Sequence, residues 1–132
     1  MMSSASMNDQ IADVIRRYVS LLAAGSADDL LELFAEHATV EDPVGSDVRT
    51  GRAEIREFFS TLEAMDRQTE LVLLRVVGNE AAFSFTITFK VGDTTMRLQP
   101  IDTMTFDRDG KITSVRSYFA PTDLAEAFSL PE

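Results

Sequence analysis

At 132 residues, with no cysteine, a single histidine and a net charge of −10, the chain is sized for one globular domain that needs no disulfide or metal to hold its core. Those counts exclude thiol catalysis, zinc–thiolate sites and iron–sulfur clusters, and a lone His37 without a G-x-S-x-G segment argues against a serine triad. The negative charge disfavours nucleic acid and anionic membranes as partners, and residues 1–8 carry neither a basic nor an apolar run, so a cytoplasmic protein is expected.

In chain order, Ile11, Val14, Ile15, Tyr18, Leu21 and Leu22 recur at helical spacing behind Ser6 and Asp9, which are placed as a capping box. Residues 1–7 are expected to be flexible. Gly25 closes this first helix, and Ser26 with Asp29 opens a second that runs through Leu30, Leu33 and Phe34 towards His37. There His37 would meet the last helical carbonyls. Residues 39–42 read as a short strand stopped by Pro43, with 45–49 a loop or short strand. A third helix over about 52–65 buries Ile55, Phe58, Phe59 and Leu62.

After Arg67 the apolar period changes from helical to alternating, which predicts strands at 69–77, 81–91, 95–106 and 111–120. Their short connections, at 78–80, 92–93 and 107–110, are rich in Gly, Asn and Asp and argue for antiparallel hairpins. The expectation is one α+β domain over 1–132, with three helices packed on a curved, mainly antiparallel sheet that encloses an apolar pocket. Residues 122–132 form a tail that adds a short helix or frays.

Three residues could carry chemistry. Strand alternation at 95–106 places Asp102 on one face with Leu98, Pro100, Met104 and Phe106. That face is solvated, or Asp102 pairs with a cation from another element, or desolvation keeps its carboxyl protonated. Asp42 shares a strand face with Val40, while Glu41 points the other way into solvent. The proline that follows makes Asp42 either a turn initiator or a strand-end group facing the interior. Tyr18 lies in the apolar stripe of the first helix, where its hydroxyl needs a partner, a carbonyl in the commoner case.

Taken together, Arg17-Tyr18, Ala38-Thr39-Val40-Glu41-Asp42-Pro43, Gly51-Arg52, and Ile101-Asp102 followed by Met104, Phe106-Asp107 and Gly110 resemble the ketosteroid isomerases of the NTF2-like superfamily over nearly the whole chain. The resemblance implies that Asp42 is a general base and that Tyr18 and a protonated Asp102 are oxyanion-hole donors. It further implies Phe34, Phe59, Phe85, Met104, Val115 and Phe119 as pocket residues for a steroid, no metal or cofactor, and a homodimer. Phe34 and Phe59 stand where some members carry tyrosines of a hydrogen-bonded network, and Phe119 where some carry tryptophan. The competing expectations are a polyketide cyclase or epoxide hydrolase on the same cone, a non-catalytic steroid or lipid carrier, and a scaffold module that binds no steroid.

Overall fold

The computed structural model describes residues 4–126. Helix α1 (Ser4–Ala24) is followed by α2 (Ala27–Leu31), strands β1 (Phe34–Glu41) and β2 (Arg49–Thr50), and α3 (Arg52–Glu63). Strands β3 (Arg67–Val77), β4 (Glu80–Val91), β5 (Thr94–Leu98), β6 (Ile101–Phe106) and β7 (Ile112–Tyr118) then build most of one sheet. A 3₁₀ turn (Pro121–Asp123) and β8 (Ala125–Glu126) complete it. This is the α+β arrangement expected, three helices on a large curved sheet that does not close. Among the described residues no helix is long and apolar enough to cross a membrane.

Helix α1 lies along the sheet because Ile11, Ile15, Tyr18, Val19 and Leu22, one stripe of its surface, are all buried. The helix already begins at Ser4, so Ser6 and Asp9 lie within it and not at its N-cap. The second helix opens at Ser26 and Asp29 as expected, and these two form a capping box, but α2 is only five residues long. Phe34 belongs to a strand, and His37 is exposed on that strand, away from any helix end. The Arg52 guanidinium donates to the Leu31 and Phe34 carbonyls at 2.9 and 3.0 Å, satisfying the chain where helix gives way to strand.

Strands β3 to β7 follow the predicted hairpins, and the only parallel pairing among the described residues joins β1 to β7. The single strand expected at 95–106 is divided at Gln99-Pro100, because proline has no N–H to contribute to the ladder. Its register nevertheless holds. Ile87 pairs with Leu98 and Ser84 with Ile101, three residues earlier in β4 and three later past the proline, so alternation continues through the proline. Leu98, Pro100, Asp102, Met104 and Phe106 are consequently all buried. The described part of the tail forms the 3₁₀ turn and then pairs with β5; the rest of the expected tail, 127–132, lies outside the described residues.

Candidate functional site

A cavity of about 210 Å³ lies between the helices and the concave sheet face. Tyr18 and Leu22 come to it from α1, Phe58, Phe59 and Leu62 from α3, and Phe85, Ile87 and Phe89 from β4. Leu98, Pro100, Ser117 and Phe119 face it from the far side of the sheet, and Met65 from the segment after α3. In this apolar wall the polar side chains are those of Tyr18, Asp42 and Ser117.

The loop after β1 brings Asp42 to the cavity. Val40, two residues earlier, is fully buried, so the same strand face carries Asp42 inward as the chain leaves the sheet. Burial pushes the Asp42 carboxyl up to about 6, against the opposing charge of Arg49. Arg49 stands opposite Val40 in the β1–β2 pairing and stacks its guanidinium on the Phe58 ring at 4.4 Å. Glu41, expected in solvent, is instead half-buried. It accepts from Arg116 at 2.9 Å and from the Gly45 N–H at 2.8 Å.

The Tyr18 ring is set edge-on against Phe34, Phe59 and Phe83, with centroids 6.1 to 6.3 Å away. Burial pushes its hydroxyl well above the ordinary tyrosine value, and the charges of Asp102 and Asp42 push it further. Asp102 is 1% exposed, which answers the question its strand left open. Among the described residues the ion pairs are Asp13–Arg16, Asp28–Arg56 and Glu41–Arg116, and none involves Asp102. Burial raises its carboxyl to about 7, the neighbouring Ser117 hydroxyl opposes the rise, and the Asp42 charge adds to it. Its Oδ1 is buried without a hydrogen-bond partner.

The structure thus brings the three residues near enough for their charges to act on one another, but not equivalently. Tyr18 and Asp42 line the cavity, whereas Asp102 lies in the wall beside Ser117, its partner across β6–β7. Of the expected pocket residues, Phe59, Phe85 and Phe119 line the cavity. Phe34, Met104 and Val115 do not. They are core residues, Phe34 packed against the rings of Tyr18 and Phe59. Sequence reasoning missed Ser117, although alternation with Val115 and Phe119 put it on the inner face. It also missed Arg49, whose relation to Asp42 depends on how β1 and β2 pair.

A carboxyl raised towards neutrality, as at Asp42, can exchange a proton, and the Tyr18 hydroxyl on the same cavity can donate a hydrogen bond. The chain belongs to the SnoaL-like family, whose domain matches residues 15–115. It is 44% identical over 118 residues to a steroid delta-isomerase of Nocardioides simplex, covering 89% of this chain and 96% of the relative, and this relationship makes it an isomerase enzyme. Among solved structures it resembles the epoxide hydrolase/cyclase-like enzyme SalBIII of pyran ring formation in the polyether salinomycin. The TM-score is 0.85 at 29% identity, over 92% of this chain and 99% of that one. RV0760c of Mycobacterium tuberculosis shares the fold, with a TM-score of 0.82 at 18% identity over 89% and 96% of the two chains.

Proposed function

We propose that the enzyme moves the double bond of Δ5-3-ketosteroids into conjugation with the ketone, through a dienolate and with no cofactor. What supports this reading is an apolar cavity lined by a carboxyl raised to about 6 and a buried tyrosine hydroxyl, with a second carboxyl, raised to about 7, in the wall behind them. A flat, apolar substrate suits the aromatic wall. Asp42, as carboxylate, takes a proton from the carbon between ketone and alkene. The electron pair left behind shifts onto the ketone oxygen, and Tyr18 with neutral Asp102 hydrogen-bonds the charge that develops there. Asp42, now the acid, returns the proton to the far alkene carbon, and the pair moves back to leave the conjugated enone. One carboxyl serves both transfers because its pKa lies within reach of neutral pH.

The test is the appearance of conjugated-enone absorbance from a β,γ-unsaturated 3-ketosteroid. Absence of turnover with tight binding of a steroid phenol would support a carrier instead. The likeness to SalBIII favours one other reading, ring closure or epoxide opening, and turnover of an epoxide-bearing polyketide without enone formation would select it. The active form proposed is a homodimer. The outward row Leu73, Ser84, Ile101 and Tyr118 exposes three apolar side chains, and the row beside it carries Arg75 and the Arg116–Glu41 ion pair. Two copies of a strongly acidic chain can meet there because Arg75 and Arg116 offset the acidic charge on this face.

A further inference from the structure

Ser117 is the polar residue of the cavity wall to which the isomerisation described above assigns no part. It is 2% exposed and stands directly opposite Asp102 across β6–β7. Residues opposed in this way carry their side chains to the same sheet face, roughly 5 Å apart. Ser117 is therefore the polar side chain set beside the Asp102 carboxyl, whose Oδ1 is buried without a hydrogen-bond partner. A neutral carboxylic acid offers one acceptor oxygen and one O–H donor, so a hydroxyl that donates to the first oxygen confines the proton to the second.

We infer that Ser117 is the positioning residue of Asp102: its hydroxyl donates to one carboxyl oxygen, sets the plane of the group, and leaves the protonated oxygen to face the ligand at the Tyr18 end of the cavity. The catalytic consequence rests on the isomerase reading, whereas the contact does not. The contact has two opposed effects. Donation favours the ionised carboxyl, so it reduces the neutral fraction as pH rises, yet it holds the remaining neutral form in the productive orientation.

The experiment compares Ser117→Ala and Ser117→Thr with the wild type, following the Asp102 carboxyl by ¹³C NMR titration and turnover of a β,γ-unsaturated 3-ketosteroid across pH. In Ser117→Ala the Asp102 midpoint and the alkaline limb of kcat should both move to higher pH. The kcat plateau should fall roughly three- to tenfold, the loss of one hydrogen bond, with KM changed by less than about twofold. Ser117→Thr should restore midpoint and kcat together, because it returns the hydroxyl. If Ser117→Ala does not fold, Ser117→Cys keeps the size with a weaker donor and should show the same shifts, smaller. A folded alanine or cysteine variant whose Asp102 midpoint and kcat both stay at wild-type values overturns the inference. A wild type that does not turn over the steroid, with a midpoint that still moves in Ser117→Ala, overturns the isomerase reading alone and supports the contact.

Discussion

Aspartate 42 and Asp102 are the same residue type in one small site, yet the proposed chemistry asks them for opposite protonation states. Asp42 must be ionised to take a proton and Asp102 neutral to give a hydrogen bond. With the two at about 6 and about 7, kcat/KM should rise with pH through the first value and fall above the second, a bell between two macroscopic pKa values read from a pH–rate profile. Asp42→Asn keeps the shape and removes the base, so turnover should drop by at least about a thousandfold while a steroid phenol still binds, as titration would show. Equal loss of rate and binding would mark Asp42 as a turn residue. Asp102→Ala should lower the rate by roughly a hundred- to a thousandfold, and Asp102→Asn by less, since the amide keeps an N–H donor and carries no charge. The same asparagine variant bears on stability. A folded-state carboxyl above its ordinary value of 3.8 binds more protons in the native than in the unfolded state between the two values. Wild-type stability therefore falls across that window as pH rises, and the advantage of Asp102→Asn, followed by urea denaturation, should be small near pH 4 and largest above about pH 7.

At the scale of elements, α3 is placed by its first residues. Gly51 precedes it with φ 86 and ψ 164, a region that only glycine occupies without strain, and its N–H donates to the Ala38 carbonyl at 2.9 Å. Arg52, next in the chain, holds the α2–β1 junction through two carbonyls. This pair aims α3 so that Phe58, Phe59 and Leu62 reach the cavity. Gly51→Ala meets no steric obstacle for its Cβ, so its whole effect should be backbone strain, about 1–3 kcal/mol in denaturant unfolding. A loss below about 0.3 kcal/mol would show that the backbone relaxes into another conformation at no expense. At the other end of the helices, the Arg67 guanidinium donates to the carbonyls of Leu22, Gly25, Leu62 and Met65. It thereby ties together the ends of α1 and α3, three of whose bonded residues line the cavity.

For the whole molecule, the sheet divides its two faces by function. The concave face turns its apolar residues towards the helices and the cavity, and the convex face presents Leu73, Ile101 and Tyr118 beside Arg75 and Arg116. Sedimentation equilibrium should give twice the chain mass, and Ile101→Glu should shift it towards the monomer by placing a charge in the apolar row. A wild type that sediments as monomer at working concentration would remove the homodimer from the proposal. The cavity itself is built within one chain from α1, α3, β4 and the β5–β7 region.

The periodicity of the chain determined its class and most of its elements by itself. Helical stripes and strand alternation are local patterns, and each face they mark must be buried against something. Alternation even placed Asp102 correctly, because the β4 register continues unbroken through Pro100. Pattern could not end α2 at Leu31, since Leu33 and Phe34 fit a helix stripe as well as a buried strand start. That choice was made by pairing with β7 and by the Arg52 contacts. Nor could it separate cavity from core. Phe34, Met104 and Val115 are as apolar as Phe58, Leu62 and Phe89, and which of them meets open space depends on how rings from four elements fill it. The same holds for Ser117 and Arg49. A serine or an arginine carries no local sign of its partner, and only strand pairing set one opposite Asp102 and the other beside Asp42.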